Sequence, residues 1–348
     1  MLNSVNTLAI RCPNWVGDIV MATPVIQCLK ENLPETKLIL CVRPYAKGIL
    51  ADNPNVDAIV DFDDKSFSGL KKLRRAMEHY KPDAGLLLTN TSSSFVAFKI
   101  AGISQIYGYK RNWRKHFLSG GPIPEILDGK VVPEPMQDYY LRLCEFLGLV
   151  LPNNPRSRLF MSHELQQRGD DFLKSVDIKS TDFLIGINPG ASFGSSKCWP
   201  SQYFAKLCDL LQKQHGCKIL LLVGPGEESI AHNIVSESSA SIINTAERKL
   251  NLEELKPAIK RCDILITNDT GPRHYAAAFD IPNIVLMGPT NPVYTSRNTE
   301  KTVVLRKEMS CSPCHKKTCP LGHHACMQDI GSDLVATEVA KIIDGNKN

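Results

Sequence analysis

The chain has 348 residues and a mass of 38.6 kDa, which at roughly 150 residues per domain predicts two domains. Its 43% hydrophobic and 22% charged residues describe ordinary globular material, and a net charge of +5 is too mild for the basic footprint of a nucleic-acid binder. No apolar run reaches the ~18 residues of a membrane span, so collagen, coiled coil, disorder and an integral membrane protein are all excluded.

In chain order, Met1–Thr7 lacks the charged n-region and long apolar run of a secretory signal, which predicts a reducing compartment. Strand candidates in the first half are Thr7–Cys12, Leu38–Val42, Ala58–Phe62 and Ala84–Leu88. Helical patterns lie between them at Ile19–Asn32 and Gly69–His79. In the second half strands are expected at Phe183–Asn188, Lys218–Val223, Asp263–Thr267 and Asn283–Met287. Helices fit between these at Gln202–Gln214, Glu227–Ser236, Leu252–Lys260 and His274–Phe279, and a last amphipathic helix at Ser332–Ile343. Alternation of apolar, β-branched strands with helices is the pattern of parallel sheets wrapped by helices, an α/β fold. The Pro/Asn/Arg-rich stretch Leu151–Arg158, followed by a polar helical pattern over His163–Lys174, marks a seam. The expected organisation is a Rossmann-like domain over 1–160, a linker helix within 161–182, a second Rossmann-like domain over 183–331 and a terminal helix over 332–348.

Open parallel sheets bind ligands at the carboxyl ends of their strands. Five loops there are rich in Gly, Pro and small polar residues: Pro13–Asp18, Asn188–Lys197, Gly224–Glu227, Asn268–Gly271 and Gly288–Asn291. Glycine admits close backbone approach, and exposed helix amides favour an anion. Four of the five lie in the second half, so a phosphate-bearing ligand is expected there. Walker-type GxxxxGK[ST] and dinucleotide GxGxxG are both missing from the sequence, which excludes the two commonest nucleotide-binding modes. Lys197 ends a Gly/Ser loop just before Trp199-Pro200, well placed to meet a phosphate as a point charge. Asp269 is read either as a helix N-cap or as an acceptor of sugar hydroxyl hydrogen bonds, and His274 as a packed histidine before an acid or base. Asp18, following Gly17, either complements a helix dipole or takes a proton from an attacking hydroxyl.

Taken together, Pro13–Asp18 with Thr23-Pro24, Asn188–Pro200 with Lys-x-Trp-Pro, Thr267–Ala277 and Gly288-Pro289-Thr290 resemble glycosyltransferase family 9, the ADP-heptose:lipopolysaccharide heptosyltransferases. The resemblance runs in the same order over nearly the whole chain. It implies a GT-B fold of two facing Rossmann-like domains, with acceptor on the first and nucleotide sugar on the second. By matching position it makes Asp18 the general base. Ser192, Lys197, Thr270 and Gly271 would contact the diphosphate, Asp269 the heptose hydroxyls and Glu227 the adenosine ribose, with His274 in the same nucleotide-sugar site. Arg273 departs from the Met or Leu of many relatives, leaving it either near the phosphates or in solvent.

The implied reaction is inverting transfer of heptose from ADP-L-glycero-D-manno-heptose to the inner core of lipopolysaccharide on lipid A–Kdo. It would run at the cytoplasmic face of the inner membrane of a Gram-negative cell, without cofactor or metal; no DxD pair stands near the phosphate loops. Lys110, Arg111, Arg114 and Lys115, set among aromatics in Tyr107–Phe117, are read as acceptor-phosphate or anionic-membrane contacts, or else as a solvated basic loop. Eight of the twelve cysteines are scattered singly, as small buried hydrophobes. The other four, Cys311, Cys314, Cys319 and Cys326, stand with His315, His323 and His324; a structural metal, redox or disulfide chemistry, or neither remain open readings. Rival functions are a family 9 transferase for another sugar nucleotide or acceptor, a GT-B-like sugar-nucleotide epimerase, and a non-catalytic protein built around that Cys/His cluster.

Overall fold

The structure, a computed structural model, describes Leu2 and residues 5–345. The first residues of the N-terminal segment and the last three of the expected terminal helix lie outside the described residues. The chain divides into two compact units, Met1–Phe160 with Val293–Arg297, and Met161–Pro292 with Asn298–Asn348.

Unit 1 contains β1 (Thr7–Arg11), α1 (Val16–Met21), α2 (Thr23–Asn32), β2 (Lys37–Val42), α3 (Lys47–Leu50), β3 (Ala58–Asp61) and α4 (Phe67–Tyr80). These are followed by β4 (Ala84–Leu87), α5 (Ser92–Ile100), β5 (Gln105–Gly108), a small hairpin β6 (Ile126–Leu127) and β7 (Lys130–Val131), and α6 (Met136–Phe146). Its five-stranded sheet is parallel throughout, ordered β3-β2-β1-β4-β5. The central β1 is buried along its whole length, as a strand covered on both faces must be.

Unit 2 begins with α7 (His163–Ser175), then β8 (Leu184–Asn188), α8 (Ser201–His215), β9 (Lys218–Leu221), α9 (Glu228–Glu237), β10 (Ile242–Asn244) and α10 (Leu255–Arg261). It continues with β11 (Ile264–Asn268), α11 (Gly271–Ala278), β12 (Asn283–Leu286), β13 (Thr302–Leu305), α12 (Ala325–Gln328) and α13 (Ser332–Gly345). The six strands are parallel in the order β10-β9-β8-β11-β12-β13. This is the Rossmann order, in which the order of strand addition reverses between the first and fourth strands and leaves a crevice at their carboxyl ends. In unit 2 those strands are β8 and β11; in unit 1 they are β1 and β4.

Three differences from the sequence reading have local causes. The single helix expected over Ile19–Asn32 is two, because Pro24 in the first turn of α2 cannot donate to the ladder and Thr23 Oγ donates instead to the Val20 carbonyl at 2.8 Å. Helix α11 starts at Gly271 rather than His274, so Thr270 is its N-cap and the Thr-Gly turn sits at its amide end. The expected linker helix α7 packs inside unit 2. A Cβ on Gly169 would overlap the ring of Pro257, so the glycine permits α7 to lie directly on α10. Replacing Gly169 by alanine should therefore cost about 1–3 kcal/mol despite alanine's better helix propensity; a urea midpoint equal to or above wild type would contradict this packing.

Candidate active site at the carboxyl edge of the second sheet

Asn268, the last residue of β11, ties two loops together. Its side-chain amide donates to the Pro189 carbonyl at 2.6 Å, and its carbonyl oxygen accepts the Trp199 amide at 3.1 Å. Both ends of the loop 189–199 are thereby fixed to the β8/β11 crevice. Trp199 is 1% exposed, and its indole donates to the Ile330 carbonyl at 2.8 Å. Two residues before this anchor, Lys197 is held inward. Its ammonium reaches the Asp269 carbonyl and Oδ2, each at 2.8 Å, with the Phe193 ring 5.2 Å away.

Asp269 is the hub. Arg273 donates to Oδ1 at 2.8 Å, and Oδ2 also accepts the Thr290 hydroxyl at 2.6 Å. Asp269 is 6% exposed. Burial pushes its pKa up, but Arg273, Lys197 and Thr290 outweigh that and hold it well below the usual carboxylate range. One buried anion between two cations leaves a net positive centre, with the amide end of α11 directly after it. Such a centre suits a diphosphate.

Here the site differs from what the sequence implied. Asp269 organises Lys197, Arg273 and Thr290, a role the sequence did not suggest, because a buried carboxylate must be paired. It is not the N-cap, which is Thr270. Arg273 does not face solvent; it is 4% exposed. Its spacing of one helical turn from Asp269 was the signal for the pair. Ser192 is exposed on the loop. The Glu227 carboxylate accepts the Gly224 amide at 2.8 Å and lies against Gly190, where a Cβ would overlap it. Burial pushes the Glu227 carboxyl up, only partly offset by that amide.

The cysteine-rich segment braces the same loops. The Ser196 amide donates to the Lys317 carbonyl at 3.0 Å, and the Ser196 hydroxyl to the Lys316 carbonyl at 2.5 Å. His324 Nε2 meets the Ser196 carbonyl at 2.8 Å, and the Ser312 hydroxyl donates to the Gly288 carbonyl at 2.7 Å. Sequence reasoning missed these links because the three at Ser196 join segments more than a hundred residues apart, and the fourth spans 24 residues between two loops. All four clustered cysteines are free thiols. Among the described residues, no three His, Cys, Asp or Glu side chains are gathered as a metal ligand set.

In unit 1, Asp18 stands half-buried in the first turn of α1, beyond the carboxyl end of β1, and Tyr140 of α6 donates to its Oδ1 at 3.1 Å. Tyr140 carried no sequence signal. Nearby, buried Arg11 pairs with Asp64 at 3.8 Å, and Arg43 reaches the other Asp64 oxygen at 2.5 Å. Arg114 corrects the reading of an exposed basic loop. It is 0% exposed and donates to the Thr89 carbonyl, the Asn90 side chain and the Tyr109 carbonyl at 2.7, 2.8 and 3.0 Å. Burial lowers its pKa to about 10. It pins the loop and has no surface to offer an acceptor. Lys110 and Arg111 are half-buried and Lys115 is exposed.

Two Rossmann-type units, one carrying a basic anion site at its strand switch point without a Walker or dinucleotide fingerprint, match the GT-B architecture of glycosyltransferases. The profile of glycosyltransferase family 9 (heptosyltransferase) matches residues 70–325, and the chain belongs to that family. It is 27% identical over 339 residues to lipooligosaccharide heptosyltransferase 2 of Campylobacter jejuni, covering 96% of this chain and 98% of that one. It is 25% identical over 342 residues to lipopolysaccharide heptosyltransferase 2 of Salmonella typhimurium, covering 95% and 97%. Its fold matches Escherichia coli ADP-heptose lps heptosyltransferase II with a TM-score of 0.82 at 23% identity, over 98% of this chain and 100% of that one. A family 9 structure from Veillonella parvula matches with a TM-score of 0.84 at 21% identity, over 97% of both chains.

His274, one turn into α11, is neutral. Burial pushes its pKa down to about 3, and Arg273 adds repulsion. The folded value lies below the ordinary 6.5, so the unfolded chain takes the proton first. Stability present above pH ~6.5 is then lost as pH falls toward ~3. His274→Asn should flatten the fall of the urea midpoint between about pH 7.5 and 5; a variant falling as steeply as wild type would contradict this.

Proposed function

We propose that this enzyme is a heptosyltransferase of the second-heptose type. It moves heptose from ADP-L-glycero-D-manno-heptose to the inner-core heptose of a lipid A–Kdo acceptor, with inversion at the anomeric carbon. The observation that carries the reading is the buried Lys197–Asp269–Arg273 centre beside the amide end of α11. It is a fixed positive site where diphosphate charge grows as the glycosidic bond breaks. The names of the relatives at 27% and 25% identity support heptose as the transferred sugar and lipopolysaccharide core as the acceptor class.

In the proposed step the acceptor hydroxyl gives its proton to the Asp18 carboxylate and its oxygen bonds to the anomeric carbon. The bond from that carbon to the diphosphate oxygen breaks, and its electron pair leaves with ADP. The transition state is oxocarbenium-like. ADP leaves without a proton, because Lys197, the Thr270 and Gly271 amides and Ser192 match its charge. Donors already aimed at developing charge need no reorganisation. Glu227, fixed against Gly190 by the Gly224 amide, is the proposed acceptor for the ribose hydroxyls. Lys110, Arg111 and Lys115 are the proposed contacts for acidic groups of the acceptor. Because that acceptor is lipid-linked, the enzyme is proposed to work in the cytoplasm against the inner face of the inner membrane. No helix among the described residues is long and apolar enough to cross a membrane, so this contact would be peripheral.

Asp18→Asn and Lys197→Ala separate the two halves of the mechanism. The first should keep ADP affinity and lose turnover by at least ~10². The second should weaken ADP binding in calorimetry and also slow transfer by ~10²–10³. Mass spectrometry of products from ADP-heptose and truncated lipopolysaccharide acceptors gives the turnover. Wild-type rate in Asp18→Asn, or unchanged ADP affinity in Lys197→Ala, would remove that residue from its role.

A further inference from the structure

The aromatic side chains of one turn in unit 1 are left unused by this chemistry. From Ala84 to Pro124 the chain has no acidic residue, yet it carries Lys99, Lys110, Arg111, Arg114 and Lys115. Within that stretch Trp113 is 48% and Phe117 60% exposed. Aromatic rings of this size usually bury most of their surface. Mobility does not explain the exposure, because the turn that carries them is fastened from below. Arg114, between the two rings, is wholly buried and holds three partners. The rings form one cluster: Trp113 lies 5.7 Å from Phe117, and buried Phe95 of α5 lies 5.8 and 6.3 Å from them. Lys99, exposed at the end of α5, reaches over Phe95 at 5.9 Å, and Val96 and Ile100 are exposed on the same helix.

We infer that this pinned aromatic turn and the outer residues of α5 are the surface by which the enzyme docks on an anionic phospholipid bilayer. The inference deepens the membrane association proposed above and rests on it. Tryptophan and phenylalanine flanked by lysines match the membrane interface, with rings at headgroup depth and cations against anionic phosphates. A stretch of chain without acids suits this role, since a carboxylate on it would be repelled. Its position also fits. The turn follows β5, and Asp18 follows β1, two strands away in the same parallel sheet. At a strand spacing of about 4.8 Å their carboxyl ends are about 10 Å apart. A bilayer held at the turn therefore brings a lipid-linked headgroup to the edge that carries the proposed base.

Vesicle flotation of the full chain tests this without any sugar transfer, so failure of the heptosyl reading would leave its result intact. Wild type should float with phosphatidylcholine vesicles containing phosphatidylglycerol, and stay in solution with phosphatidylcholine alone. Trp113→Ala with Phe117→Ser should abolish flotation. Lys99→Glu, a change at an exposed side chain, should lower the partition coefficient about thirtyfold, as expected for a change of two unit charges at the membrane surface. The aromatic variant should also keep wild-type transfer to a short water-soluble acceptor while losing rate on a vesicle-embedded one. Failure of wild type to bind anionic vesicles, equal binding to both lipid compositions, or variants that float like wild type would each overturn the assignment.

Discussion

The second unit depends on a single buried anion. Asp269 takes two cations and a hydroxyl inside a crevice where a lone carboxylate would be costly, and each partner is thereby fixed in place. The arrangement is asymmetric in charge, so the organiser holds its cations in position without cancelling them. A flexible surface lysine would lose side-chain entropy on meeting a phosphate; Lys197 has already lost it. The neutral state of His274 belongs to the same balance, since a third cation beside Lys197 and Arg273 is electrostatically unfavourable.

Two layers hold that centre. Asn268 and Trp199 fasten the loop 189–199 to the strands from within, and the segment around 312–326 fastens it from outside through Ser196 and holds the loop after β12 through Gly288. Gly194 belongs to this outer layer. Its φ of 151° and the closeness of the Lys317 backbone leave no room for a side chain. The cysteine-rich segment thus has a role that geometry alone supports, as a brace on the loop that carries Lys197.

The parts of this architecture that follow local rules were readable beforehand. Central strands such as β8 and β11 are mostly apolar and buried at every position, because parallel strands are covered on both faces, and the loops after them announced themselves by Gly, Ser and Asn. Edge strands β5, β10 and β13 are three or four residues long and less buried than the central strands, and no strand was expected there. The break at Pro24 was visible as a proline but was overridden by the continuous helical periodicity around it. Arg114 shows the firmest limit. In sequence it is one more cation in a basic loop, and only the fold brings the Thr89 and Tyr109 carbonyls around it. Asp269 sits between these extremes: its position was legible and its chemistry was not, since Lys197 and Thr290 arrive from other strands.

Binding of ADP to Asp269→Asn tests the organising role of this carboxylate most directly. The substitution removes a negative charge beside the proposed diphosphate site, so simple electrostatics predicts tighter binding. If Asp269 works by holding Lys197 and Arg273 in place, calorimetry will instead show ADP affinity falling by about tenfold or more, the scale of one charge-assisted hydrogen bond. Equal or tighter binding in a folded Asp269→Asn protein would contradict the account.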